Sequence, residues 1–278
     1  MLFLRAKGRL AASLARTSSK GTVRLAALGL PVVGGAGQPD AMTTPACPDY
    51  AGHRFPAEII SHAVWLYFRF PLSLRMMDEL MAARGVTVSH ETVRQWAPKF
   101  GQTFADRSRR RLPVAGDEWH LDEVAVKIAG KKHWLWRAVD QNGVVLDILV
   151  QSRRDARAAG RLMRKSLKKQ RRAPRVMITD KLASYAAAKA EVMPSVEHRR
   201  HKGLNNRAEN LHQPTRRRER QMKPFKSAGQ AQRFFCAHDG INNLFHLRRD
   251  RLPAHRHRAI RAQAFRAWAE VTGVAARA

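Results

Sequence analysis

WHLDEVAVKIAG, residues 119–130, is the stretch on which the fold turns. It is rich in Val and Ile and alternates over part of its length, the pattern of a β-strand. Gly130 supplies a turn, and HWLWRAVD, residues 133–140, reads as a second strand. Asn142–Gly143 is a strong hairpin signal, after which VVLDILVQ, residues 144–151, gives a third strand. A basic helix follows from about Asp155 to Gln170. RVMITD (175–180) is then a short buried strand, KLASYAAAKAEV (181–192) a helix, VEHRR (196–200) a strand, and NNRAENLHQPTRRRERQ (205–221) mixed helix and loop. Three antiparallel strands followed by helix, strand, helix, strand and helix make an α/β layer pattern on a mixed five-stranded sheet flanked by helices.

Upstream, PAEIISHAVWLYFRF places Ile59, Ile60, Ala63, Val64, Leu66 and Tyr67 on one helical face before Pro71 interrupts it. Ser73 is a candidate N-cap for a helix bearing Leu74, Met77, Leu80 and Met81, with Gly85 placed to end it. Ser89 then caps a second helix through Thr92, Val93 and Trp96, which Pro98 is expected to stop. Helix, Gly-containing turn, helix is a helix-turn-helix pattern, or a plain helical hairpin. In the first case His90, Arg94 and Gln95 are the DNA readers, Arg94 suited to guanine and Gln95 to adenine.

These signals divide the chain into an N-terminal extension at 1–41, a helical DNA-binding domain at 42–104 and a link at 105–118. A catalytic domain follows at 119–225 and C-terminal helices at 226–278. The extension holds six Lys or Arg and no acid before Asp40. It reads as disordered or as translated upstream DNA, with Met42 the true start.

The net charge of +30 is the informative number in the composition. So much like charge opposes compactness, and its usual physical use is to bind a polyanion, nucleic acid first. No stretch approaches a membrane span. Cys47 and Cys236 are too few and too far apart for a disulfide scaffold or a Cys-rich zinc site. The histidines 120, 133, 198, 201 and 212 lack zinc-binding spacing. Location in the cytoplasm, at the nucleoid, fits this balance.

Against that positive background, three acids stand apart. Asp122 lies within the first strand, Asp180 ends the fourth, and Glu209 lies in the segment beyond the fifth. Open α/β sheets bind ligands at the carboxyl ends of their strands. Carboxylates forced together repel and need a cation, and Mg²⁺, with its preference for hard oxygen ligands and phosphates, is the natural one. Two such ions, with Mn²⁺ a ready substitute, would suit in-line attack on a phosphodiester. Taken singly, each acid also has a bland reading: an edge residue, a helix cap, or a partner for a nearby Arg.

The stretches FRFPLSLRMMDELMAARGVTVSHETVRQW, WHLDEVAVKIAGKKHWLWRAVDQNGVVLDILVQSRRDARAA, ITDKLASY and VEHRRHKGLNNRAENLHQPTRRRERQMKPFKSAGQAQRFF together resemble bacterial insertion-sequence transposases of the DDE superfamily. The likeness is to the sixth insertion-sequence family, small elements that form cointegrates. It implies a ribonuclease H-like core with Asp122, Asp180 and Glu209 as its metal-binding triad. It also implies recognition of terminal inverted repeats by the helix-turn-helix, 3′-hydroxyl formation at the element ends, transfer into target DNA, and a homo-oligomer on those ends. Asn205, Asn206 and Arg207 would shape the approach to Glu209, and Arg216, Arg217 and Arg218 would contact phosphates.

Between Arg153 and Arg175 there are eleven Lys or Arg against one Asp. Arg153, Arg154, Lys165, Lys168 and Lys169 are therefore expected on DNA phosphates, as a sequence-blind and salt-sensitive contact. Trp134 and Trp136 share one side of their strand and read as core. The alternatives to a transposase are a ribonuclease H-like nuclease without joining activity and a catalytically inactive DNA-binding regulator.

Overall fold

A computed structural model describes residues 48–205, 212–246 and 252–274. The extension at 1–41, Cys47, Asn206, Arg207 and Glu209 lie outside the described residues. The elements run α1 (Ala57–Arg69), α2 (Leu74–Ala82), α3 (His90–Arg110), β1 (Glu118–Ile128), β2 (Lys131–Asp140), β3 (Val145–Gln151) and α4 (Ala156–Gln170). They continue with β4 (Val176–Thr179), α5 (Ala183–Val192), β5 (Glu197–Arg200), a 3₁₀ turn (Lys202–Asn205), α6 (His212–Gln221), α7 (Ala228–Leu244) and α8 (Ala254–Thr272).

The sheet is mixed, in the order β3-β2-β1-β4-β5. β1, β2 and β3 pair antiparallel, whereas β4 and β5 run parallel to β1. Both turns expected in the antiparallel part form. Ala129 and Gly130 take positive φ between β1 and β2, and Asp140 Oδ1 accepts the amides of Asn142 and Val144 at 2.8 and 2.9 Å to brace the next hairpin.

Each face of the sheet is covered. Trp119, Leu121, Trp136 and Ala138 pack against Ala158, Leu162 and Met163 of α4 and Tyr185 of α5. On the opposite face Val124, Val126, Ile128, Leu135 and Ile148 join a core shared with α1, α2, α3, α7 and α8. This is the layered arrangement expected from the sequence, with a helical, helix-turn-helix-like region ahead of it, and it is consistent with a ribonuclease H-like fold.

Serine caps set the starts of α2 and α3: Ser73 accepts from Met76 N and Ser89 from Thr92 N. Pro98 does not stop α3, which runs on to Arg110 and so includes the first part of the stretch read as a link. A proline inside a helix removes a hydrogen bond and costs about 3 kcal/mol. Val93, Trp96, Phe100 and Phe104 are all buried on one side of α3. At about 1.5–3 kcal/mol for each buried side chain, that face outweighs the break. α3 also crosses α7 closely, and a Cβ on Gly240 would stand 2.7 Å from Ala105 Cβ. No described helix is long and apolar enough to cross a membrane.

Candidate functional site

Parallel pairing of β1 with β4 sets Leu121 opposite Thr179, so the next residues, Asp122 and Asp180, emerge side by side. Carboxylate oxygens of Asp122, Glu123 and Asp180 all lie within 4.8 Å of one another. Such a group of hard oxygen donors fits one or more divalent cations. Asp122 and Asp180 were expected here. Glu123 was not.

The three acids are held differently. Asp122 is buried; its Oδ1 accepts the Glu123 amide at 2.9 Å, and its Oδ2 lies 3.4 Å from His212 Nε2 on α6. Burial, with Arg137 and Arg216 adding to it, pushes the His212 imidazole down to about 4, so this ring is neutral near pH 7. Asp180 is partly exposed; its Oδ1 accepts the Leu182 amide at 2.9 Å, and its Oδ2 is 3.8 Å from Arg154.

Glu123 is buried and has both oxygens occupied. Tyr185 donates to Oε2 at 2.6 Å, and Arg154 Nε donates to Oε1 at 2.6 Å. Burial raises the Glu123 carboxyl above its ordinary range, while Tyr185 and Arg154 pull it back. The Tyr185 hydroxyl is itself pushed well up, by burial first and by Glu123 second. Arg154 also lies over the Trp134 ring at 4.9 Å. A sequence signal for Glu123 did exist: it falls on the same period as Trp119 and Leu121, so its carboxylate had to enter the apolar side and find partners there.

Asn205 donates to Leu121 O at 3.1 Å and so ties the 3₁₀ turn to β1 beside Asp122. Arg137, opposite Asp122 in the strand register, is buried and pairs with Asp239 at 3.2 Å.

The expected DNA contacts separate into two groups. His90, Arg94 and Gln95 are exposed on the first turns of α3. Arg94 Nε donates to Glu91 at 2.7 Å, and that hydrogen bond holds the Glu91 carboxyl down to about 2. Arg153, Lys168, Arg216 and Arg217 are likewise exposed. Three further expected contacts have partners within the protein. Lys165 and Lys169 pair at 3.0 and 3.3 Å with buried Asp147 on β3, because α4 packs its lower edge against that strand. Arg218 is buried, its guanidinium 3.6 Å over Phe225 and 4.9 Å over Phe234. Of the two tryptophans, Trp136 is core and Trp134 is only partly buried.

Residues 116–248 match the DDE domain family DDE_Tnp_IS240. The transposase for insertion sequence element IS257 in transposon Tn4003 of Staphylococcus aureus is 32% identical over 180 residues, covering 63% of this chain and 80% of that protein. This chain belongs to the DDE transposases of insertion-sequence elements. The transposase for insertion sequence-like element IS431mec of S. aureus strain Mu50 is similar to the same degree, 32% over 180 residues. Among solved structures, the HTLV-2 integrase catalytic core domain in complex with magnesium aligns at 14% identity and a TM-score of 0.30, over 58% of this chain and 86% of that one. The catalytic domain of Mos1 mariner transposase aligns at 14% identity and 0.28, over 62% and 90%. The acidic cluster and the family together support metal-dependent nuclease activity.

Proposed function

We propose that the protein cuts the ends of an insertion sequence to leave 3′-hydroxyls and transfers them into target DNA. The observation that carries this reading is the meeting of Asp122 and Asp180 across the β1–β4 pair in a chain of +30 net charge. Asp122, Asp180 and, from the segment after Asn205, Glu209 hold Mg²⁺ or Mn²⁺ in a ribonuclease H-like core. When bound, the metal supplies an activated hydroxyl and charge stabilisation at the departing oxygen.

The chain's own residues do the rest. Neutral His212 closes one side of Asp122 without competing as a cation. Arg154 offers a fixed positive charge beside Asp180, where a phosphodiester would approach. Exposed Arg153, Lys168, Arg216 and Arg217 attract the backbone without reading sequence. His90, Arg94 and Gln95 read the terminal inverted repeat. Arg94 can exchange its exposed partner Glu91 for a guanine edge, because a solvent-exposed ion pair holds it only weakly. Membership of the sixth, cointegrate-forming insertion-sequence family, and a homo-oligomer that unites the two ends, belong to the same proposal.

Joining distinguishes this reading from a nuclease. Pre-cleaved end duplexes incubated with the protein, Mg²⁺ and supercoiled plasmid should yield branched or linear joined products. Nicking of intact ends with no joined product from pre-cleaved ones would reduce the activity to hydrolysis.

A further inference from the structure

β5 is an edge strand without a core-facing side. Each of the other four strands has buried residues, whereas none of Glu197–Arg200 is buried. Apolar burial therefore does not account for its place beside β4. Two of its polar side chains instead reach the end of β4 and the link, residues 180–182, that carries Asp180 into α5.

That link has little of its own to hold it. Leu182 caps α5 with no side-chain hydrogen bond, and Asp180 uses Oδ1 on the Leu182 amide at 2.9 Å. Thr179, fully buried at the end of β4, donates its hydroxyl to Asp180 O at 2.8 Å. A threonine hydroxyl has one proton, so in the 2.9 Å contact between Thr179 Oγ1 and His198 Nε2 the ring is the donor. Burial first, then Arg200 and Lys189, hold the His198 imidazole below its ordinary range, so the donor is neutral near pH 7. Arg200 donates to Lys181 O at 3.1 Å, and the His201 amide donates to Thr179 O at 3.1 Å. Alternation along the strand turns Arg199 to the other side, where it donates to Glu197 at 2.6 Å.

We propose that β5 is a positioning strand for Asp180. His198 orients the Thr179 hydroxyl, Thr179 and Arg200 fix two successive carbonyls of the link, and the Asp180 carboxylate is thereby kept facing Asp122. All three are positioning residues that act through the backbone of the link. Outer partners that orient a ligating carboxylate are worth about 10–100-fold in metal affinity or activity. The consequence for catalysis rests on the metal-dependent reading above, and the geometry rests on these hydrogen bonds alone.

Three measurements on the full chain test the role. In metal-free protein, amide hydrogen exchange at Leu182 should be faster in Thr179→Val, His198→Leu and Arg200→Leu than in wild type, and unchanged in Arg199→Gln. Exchange at the wild-type rate in the first three would overturn the proposal. Mn²⁺ affinity, read by paramagnetic resonance of the free ion, should fall about 10–100-fold in Thr179→Val and His198→Leu. It should stay near wild type in Thr179→Ser, which keeps the hydroxyl, and in His198→Gln, whose amide N–H can replace Nε2–H. Wild-type affinity in Thr179→Val and His198→Leu, or an equal loss in Arg199→Gln, would overturn it.

Cleavage at limiting Mn²⁺ should fall by the same factor while end binding by gel shift stays at wild type. Weakened end binding with unchanged Mn²⁺ affinity would make β5 a DNA contact and overturn the positioning role. Should Thr179→Val lack the wild-type circular dichroism, His198→Leu, at a half-buried position, takes all three tests. Mn²⁺ bound by wild type and lost in the variants, with no cleavage of any end duplex, would instead remove the transposase reading and leave the positioning strand standing.

Discussion

Asp122 and Glu123 are neighbours on β1, and the two faces of the sheet treat them differently. Glu123 enters the side of α4 and α5, where Tyr185 and Arg154 occupy its two oxygens. Asp122 faces α6, beside a histidine that is neutral near pH 7, and shares its end of the sheet with the partly exposed Asp180. One acid carries its counterion with it, and the other stands where an outside cation fits. An acidic cluster defined by distance alone therefore mixes two jobs, and the bonding of each oxygen separates them.

That contrast can be broken most severely at Asp180. Asp180→Asn should reduce end cleavage by about a thousandfold or more, equivalent to about 4 kcal/mol in the barrier. End binding by gel shift and the melting temperature should stay close to wild type. Residual activity near wild type would remove Asp180 from the chemistry.

Glu123 should behave in the opposite way. Glu123→Ala strands the buried Tyr185 hydroxyl and frees Arg154, which should cost about 1–3 kcal/mol of stability in urea denaturation. Adding Tyr185→Phe should return part of it, because both partners are then gone. A stable Glu123→Ala protein that has lost cleavage as completely as Asp180→Asn would instead make Glu123 a metal ligand.

A smaller effect separates the lysines of α4. Lys169→Ala leaves buried Asp147 with one fewer partner and should lower stability by about 1 kcal/mol. Lys168→Ala should leave stability unchanged and reduce the salt slope of DNA binding by about one phosphate's share. Reversed results would put Lys169 on DNA and Lys168 in the fold.

Much of this was legible in the sequence. Strand alternation, the Gly130 and Asn142–Gly143 turns and the Ser73 and Ser89 caps are local signals, and the structure uses each of them. Asp180 was legible because a strand end is a predictable place, and Asp122 because it is an acid within a strand of a strongly basic chain. Pro98 misled because the burial of Phe100 and Phe104 is a tertiary effect that overrides a local breaker. The partners of Lys165, Lys169 and Arg218 were hidden for a related reason. A basic residue reads as surface charge until the fold supplies an Asp147 or a pair of phenylalanines for it.

The most direct test of the account is metal dependence of end cleavage. Protein freed of metal by chelation and dialysis is mixed with end-labelled duplex carrying the terminal repeat, and Mg²⁺ or Mn²⁺ is then titrated in. The account predicts no nicking without metal, nicking with a free 3′-hydroxyl as metal is added, and none at any concentration for Asp122→Asn or Asp180→Asn. Nicking that persists in excess chelator, or that survives in either variant, would contradict it.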